Sequence, residues 1–175
     1  MKPIKDLKIK IFADGADRTS MLEMYKKSFI KGLTTNPTLM NKAGIKDYRG
    51  FCKDIILTIK DKPISFEVFS DDFVEMERQA LEIASWANNV YVKIPISNTK
   101  GELCYPLVKK LSNQNVKLNI TAIMTLDQVS EIVNVLNPDI SSYVSVFAGR
   151  IADTGTDPVP IMKEAVKIIK NNLKA

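Results

Sequence analysis

Six short runs of strand character recur along the chain, each followed by a stretch with helical spacing, and this alternation limits the possible folds more than any other feature. The runs are KIKIFAD (8–14), GLTTNP (32–37), ISFEVF (64–69), VYVKIP (90–95), VKLNITAI (116–123) and YVSVFAG (143–149). Helical patterns at about 18–29, 46–60, 70–87, 100–113, 125–136 and 158–173 fill the intervals. The most regular of them, SDDFVEMERQALEIASWA, opens with Ser and acids suited to a helix N-terminus and then carries Phe73, Met76, Ala80, Ile83 and Ala84 at helical spacing. Such an order predicts parallel strands with helices packed outside them, either in an open doubly wound sheet or in a closed (β/α) barrel. Asp14, Asn36, Glu67, Lys93, Thr121 and Phe147 occupy equivalent strand positions 22 to 31 residues apart, the beat of one repeated supersecondary unit. No GxGxxG or GxxxxGK[ST] loop follows any strand, which counts against a nucleotide-binding sheet.

The distribution of polar residues separates the two architectures. Side chains two apart on a strand share a face. Near the C-terminal ends of the strands one parity reads Phe12/Asp14, Thr34/Asn36, Ser65/Glu67, Tyr91/Lys93, Asn119/Thr121 and Ser145/Phe147. The other reads Ile11/Ala13, Phe66/Val68, Val90/Val92, Leu118/Ile120 and Val144/Val146, almost wholly apolar. In a barrel the apolar set faces the helices, and the polar set lines the lumen below the C-terminal mouth, where such folds assemble active sites from several strands. An open sheet has helices on both faces, so each of those polar groups would need its own partner to offset burial. The pattern therefore favours the α/β barrel, as one domain over residues 1–175.

Composition narrows the chemistry. The chain has no histidine, which removes the commonest general base and metal ligand and every Ser-His or Cys-His scheme. Cys52 and Cys104 lie far apart and outside any CxxC spacing, so they read as buried thiols rather than as a disulfide or zinc ligands. A net charge of +5 suits an anionic partner, yet Lys and Arg are spread along helices without the basic stripe and interleaved aromatics of a nucleic-acid surface. A phosphorylated small molecule satisfies the charge equally well. No apolar run reaches the roughly 18 residues of a bilayer span, and MKPIKDLKIK lacks the apolar core of a secretion signal, so the expected location is the cytoplasm.

Lys93 is the residue that these constraints leave conspicuous. It interrupts an otherwise apolar strand, between Val92 and Ile94. Burial disfavours its charged form and leaves a free amine able to attack a carbonyl. A plain reading competes: a lysine with a buried stem whose head reaches solvent or a carboxylate. Asp14 and Glu67 are expected to line the same mouth, and an amine with two carboxylates suffices for Schiff-base chemistry without histidine, the imine acting as electron sink and the acids moving protons.

The motifs FADGAD, GLTTNPTLM, VYVKIP, LNITAI and SVFAGRIADTGTDP together resemble the transaldolase and fructose-6-phosphate aldolase family, in order and from about residue 8 to the end of the chain. The resemblance implies a transaldolase-type (β/α) barrel in which Lys93 forms a Schiff base with the dihydroxyacetone part of a ketose phosphate. It implies that Asp14 acts on the hydroxyl whose deprotonation drives carbon–carbon cleavage, and that Glu67 and Thr121 hold a proton-relaying water. Asn36, Asn119 and Ser145 would bond the donor hydroxyls, and Arg150 would pair with the substrate phosphate. The aldolase branch has Gln and Tyr where this chain has Glu67 and Phe147; the Glu and Phe pair is similar to the transaldolase branch. Phenylalanine has no hydroxyl to help protonate the bound enamine, so the intermediate is expected to wait for an aldehyde acceptor. No metal or organic cofactor is implied.

The family's barrel has eight strand-helix units and this sequence contains six, ending in KIIKNNLKA before a seventh strand. The expected molecule is thus a truncated barrel, either part of a longer product or a homo-oligomer closed by another copy, because open first and sixth strands present unpaired edges. The alternatives to transfer of dihydroxyacetone between sugar phosphates are an aldolase acting on fructose 6-phosphate and a sugar-phosphate-binding barrel without turnover. For single residues plainer roles also exist. Asp14 and Glu67 could serve a buried salt bridge, Arg150 could sit on Asp153 or Asp157, and Asn36 before Pro37 could be a strand-to-helix turn. Trp86, Tyr91, Met21, Met24 and Met76 read as packing residues.

Overall fold

The computed structural model describes residues 3–172. After a 3-10 turn at Ile4–Asp6 the elements run β1 (Ile11–Asp14), α1 (Arg18–Lys26), β2 (Ile30–Thr34), α2 (Pro37–Lys42), α3 (Tyr48–Thr58), β3 (Ile64–Glu67) and α4 (Phe73–Ala84). They continue with β4 (Val90–Pro95), α5 (Tyr105–Asn113), β5 (Leu118–Ile123), α6 (Leu126–Val135), β6 (Tyr143–Val146), α7 (Ala148–Asp153) and α8 (Pro158–Asn172). The six strands form one sheet in the order β1-β2-β3-β4-β5-β6. A doubly wound sheet reverses its strand order at a switch point. Sequential order with parallel pairing and alternating helices is the (β/α)-barrel type, here with six strand-helix units.

By internal contacts the chain divides into two compact units, one formed by the residues up to Glu67 with Glu82–Tyr91, the other by Val68–Leu81 with the residues from Val92 onward. In the first, Leu33, Ile64 and Phe66 are fully buried, as are Cys52, Ile55 and Ile59 of α3 and the turn after it. Trp86 packs against Phe66 and Tyr48, with ring centroids 5.8 and 6.2 Å apart, which makes it a packing residue. In the second, Val92, Ile94, Leu118 and Ile120 are buried with Leu111, Val129 and Ile132 from α5 and α6. These strand residues belong to the apolar parity, so the helix-facing layer follows the alternation in the sequence. Met21 and Met76 are core, whereas Met24 is 37% exposed and lies at the surface; its helical spacing was a poor guide because α1 is a single short amphipathic turn and a half beyond Met21.

Local chemistry explains the element boundaries. Asp17, Asn36 and Asp47 cap α1, α2 and α3 by accepting the backbone N–H of Ser20, Leu39 and Gly50 at 2.7, 2.9 and 2.9 Å, interactions worth about 1 kcal/mol each. Thr125 and Gln128 form a reciprocal capping box at the start of α6. The second strand stops at Thr34, short of the 32–37 run, because Asn36 leaves the sheet to cap α2 and Pro37 takes the first helical turn, where its missing N–H costs nothing. The helix expected at 100–113 begins at Tyr105. Before it, Ser97 and Leu103 bridge antiparallel across a turn in which Gly101 has φ +79°. Residue 173, at the end of the last predicted helix, lies outside the described residues.

The strand β5 contains a bulge. It pairs with β6 as Asn119↔Tyr143 and Ile120↔Val144, then as Ile123↔Val146, so Thr121 and Ala122 together face Ser145. Ala122 has φ +60°, the left-handed conformation that supplies the extra residue. The bulge resets the parity of the strand: Leu118 and Ile120 are the buried apolar residues before it, and Ile123 after it.

Phe12 and Gly32 are register partners on β1 and β2, and a Cβ placed on Gly32 would sit 2.1 Å from the Phe12 ring. The ring therefore lies on bare backbone. We expect Gly32→Ala to destabilise the protein by about 1–3 kcal/mol through overpacking, seen as a lower urea midpoint, and Phe12→Leu in that background to recover part of the loss.

Candidate active site

In the first unit the functional candidates stand at the C-terminal ends of β1, β2 and β3. Asp14 is exposed at the last residue of β1 and in register with Thr34, which is in turn in register with the buried Ser65 of β3. Thr34 Oγ1 donates to Asp14 Oδ1 at 2.8 Å, and the Gly15 N–H donates to the Thr34 carbonyl at 3.1 Å. Asn36 uses its Oδ1 to cap α2, so the turn role holds for that atom. Its amide nitrogen points the other way from the same carbon and is the group left to donate to a ligand. Glu67 is half-buried at the end of β3, where Tyr48 donates its hydroxyl to the Glu67 carbonyl at 2.8 Å. Tyr48 in turn rests on Trp86, so an aromatic pair fixes the backbone from which the Glu67 carboxylate projects.

In the second unit Lys93 is 9% exposed and in register with Asn119, itself 4% exposed. Its carbonyl accepts the Val68 N–H at 3.1 Å. Ser145 Oγ donates to Asn119 Oδ1 at 2.7 Å, which leaves the Asn119 amide nitrogen oriented by that bond. Thr121 is 2% exposed, and its Oγ1 has no hydrogen-bond partner among the described residues. A buried hydroxyl without a partner carries a free-energy cost that a hydrogen bond to water or a ligand would offset. Thr35 Oγ1, on the opposite parity of β2, is likewise buried without a partner among the described residues.

Phe147 is half-buried at the residue preceding α7. Beyond it Arg150 is exposed and forms an ion pair with Asp153 at 3.2 Å. Both line an open depression of about 500 Å³ with Val146, Phe147, Ala148 and Gly149. The plain surface pair is thus present, and since exposed pairs of this kind are worth little, the guanidinium is available to a stronger anion. Thr34, on the polar face of β2, carries no role in the sequence pattern, because its register with Asp14 is set by strand pairing that the pattern does not encode. Loop order at the β4–α5 connection also escaped the sequence: Asp71 accepts both the N–H and the hydroxyl of Thr99, at 2.7 and 2.6 Å, and clasps that loop to the β3–α4 loop.

Neither thiol belongs to this chemistry. Both cysteines are fully buried; burial pushes the Cys104 thiol up to about 12 and raises Cys52 further still. No helix among the described residues is long and apolar enough to cross a membrane.

A parallel sheet in sequential strand order defines the class as the (β/α)-barrel type, whose chemistry lies at the C-terminal ends of the strands. Residues 11–175 match the family model described as Transaldolase/Fructose-6-phosphate aldolase. Curated relatives agree: a probable transaldolase of Dehalococcoides mccartyi (strain 195) is 35% identical over 93% of this chain and 71% of its own length. One from Thermoanaerobacter sp. (strain X514) is 36% identical over 93% of this chain and 71% of its own length, and one from Methanococcus maripaludis (strain C5) is 33% identical over 91% and 70%. The chain belongs to the transaldolase/fructose-6-phosphate aldolase family and is an enzyme of its transaldolase side.

The thiol environment gives a simple check. In native protein at pH 8 we expect Cys52 and Cys104 to resist an aromatic disulfide reagent, a thiol that titrates near 12 being only about 10⁻⁴ thiolate there, and both to react once urea unfolds the chain.

Proposed function

We propose that the protein transfers a dihydroxyacetone unit between sugar phosphates through a Schiff base on Lys93. The observation that carries this reading is a lysine held in the buried row of β4, in register with Asn119 and through it linked to Ser145, in a chain of this family. The Lys93 amine adds to the ketone carbonyl of a ketose phosphate and water leaves, giving an iminium ion. Asp14 takes the proton of the C4 hydroxyl, the C3–C4 bond breaks, and its electron pair flows into the iminium nitrogen to give an enamine while C4 leaves as an aldehyde. Addition of the enamine to a second aldehyde, followed by hydrolysis, completes the transfer.

Glu67 and the unpartnered Thr121 hydroxyl are assigned the water that shuttles protons during imine formation and release. Asn36, Asn119 and Ser145 are assigned hydrogen bonds to the donor hydroxyls, Asn36 through the amide nitrogen that its capping bond does not use. Arg150 exchanges Asp153 for the substrate phosphate, an exchange favoured by bidentate guanidinium geometry. Phe147 offers no proton to the enamine, which supports transfer over release. Sugar phosphates are thus the proposed substrates, no metal or organic cofactor takes part in the scheme, and the proposed compartment is the cytoplasm. Homo-oligomer formation is proposed from the two strand edges that the six-stranded order leaves, β1 and β6.

Incubation with fructose 6-phosphate, borohydride reduction and peptide mass analysis test the reading. We expect a stable adduct on the peptide containing Lys93 and none with Lys93→Met. Turnover should depend on an added aldehyde acceptor. Absence of adduct on the folded chain overturns the Schiff base and leaves a binding module; steady release of dihydroxyacetone without acceptor makes the protein an aldolase. Phe147→Tyr, which restores a hydroxyl at that position, should raise acceptor-independent release by about tenfold or more.

A further inference from the structure

We propose that Thr34 is a positioning residue for Asp14, holding its carboxylate so that Oδ2 alone takes the substrate proton; this rests on the role of Asp14 in the proposed transfer. Asp14 is the last residue of β1, which lies at one end of the strand order, so a neighbouring strand orders it from one side only. Among the described residues its hydrogen-bonded order comes from β2. Thr34 is its register partner, donates Oγ1–H to Asp14 Oδ1 at 2.8 Å, and accepts the N–H of Gly15 at 3.1 Å, pinning the backbone just past the carboxylate. The side chain suits that task. A β-branched residue has a restricted χ1, so the hydroxyl is presented in one direction, and Thr34 is half-buried while Asp14 is exposed.

An exposed carboxylate without such a partner rotates freely about χ2 and presents either oxygen. Occupying Oδ1 with a donor removes that freedom and leaves Oδ2, which takes no hydrogen bond from the described residues, as the basic atom. The effect falls on one step. Imine formation at Lys93 does not use Asp14; removal of the C4 hydroxyl proton with breakage of C3–C4 does.

Reductive trapping reads the two steps separately: reduction of the first iminium leaves the whole hexose phosphate on the lysine, and after cleavage, once water has protonated the enamine at C3 back to an iminium, reduction leaves a three-carbon adduct. The variant is Thr34→Val, which keeps the shape and the branched Cβ and removes the hydroxyl. With fructose 6-phosphate and a short fixed reaction time, we expect total adduct close to wild type and the ratio of hexose to three-carbon adduct raised by roughly tenfold or more, the factor one hydrogen bond to a charged group is worth. Thr34→Ser should return the ratio close to wild type. If wild type gives no adduct, the Schiff-base reading fails and takes this role with it. Should wild type give both adducts and Thr34→Val the same ratio, the Thr34 role alone is overturned. Loss of total adduct in a folded Thr34→Val, judged by its urea midpoint, also overturns it, because the residue would then act before cleavage. Where the valine variant does not fold, Thr34→Ala against Thr34→Ser decides on the same ratio.

Discussion

Parallel register is the constraint on which the rest of the molecule depends. In a parallel ladder, residues paired across strands point to the same side, so a functional group at one strand end finds its neighbours in fixed rows. The pairings Asp14↔Thr34↔Ser65 and Lys93↔Asn119 put hydroxyls, a carboxylate, an amide and an amine into such rows, while Ala13↔Leu33↔Ile64 and Ile94↔Ile120↔Val144 carry the helix-facing apolar layer. The two rows cannot be moved independently. A shift of one residue in any pairing would carry a polar group into the apolar layer at a cost of a few kcal/mol and expose an apolar one, so the hydrophobic effect that stabilises the sheet also fixes the placement of the chemistry.

Most of this architecture was legible in the sequence because it follows from periodicity. Strand β4 has the ends that VYVKIP predicts, and the apolar parity of β3, β4 and β5 is buried throughout, with Ser65, Lys93, Asn119 and Thr121 of the polar parity buried beside it. What escaped depends on interactions that periodicity does not encode. The bulge at Thr121 and Ala122 arises from one positive φ at a residue with no glycine signature, and it turns a strand read as uniform into two stretches of opposite parity. The TTNP segment, read as strand, divides its labour residue by residue: Thr34 bonds Asp14, Thr35 is buried on the other face, Asn36 caps a helix and Pro37 opens it. A strand-to-helix turn and ligand binding are the two roles the sequence offers for Asn36; the cap that forms the turn uses Oδ1 and leaves the amide nitrogen, a different atom of the same side chain. Met24 missed the core because helical spacing in a helix of nine residues does not say how far the packed face extends.

The organisation of polar partners shows how far each group is prepared for a ligand. Thr34 on Asp14 and the α2 N–H on Asn36 each consume one hydrogen-bonding site of a two-site group and orient the other, and Ser145 fixes the Asn119 amide plane. Such bonds reduce the rotamer freedom that binding would otherwise have to remove, which is where preorganised sites gain affinity. Thr121 is different: its hydroxyl is buried and unmatched, a local cost that a bound water or ligand would relieve.

The charge distribution bears on how an anionic substrate is recognised. The net +5 resides wholly in the unit of Met1–Glu67 and Glu82–Tyr91, which has fourteen basic and nine acidic side chains, whereas the unit with Lys93 and Arg150 has eleven of each. A phosphate approaching Arg150 therefore meets a unit without net charge of its own. Under the proposed transfer, that unit attracts the phosphate through the guanidinium at short range, with Asp153 as competitor. At separations below the roughly 8 Å Debye length of physiological salt, contact geometry governs such a pair more than ionic strength does. The overall basicity that suggests an anionic partner thus resides in the other unit, and within the unit of Arg150 the proposed phosphate contact rests on that guanidinium.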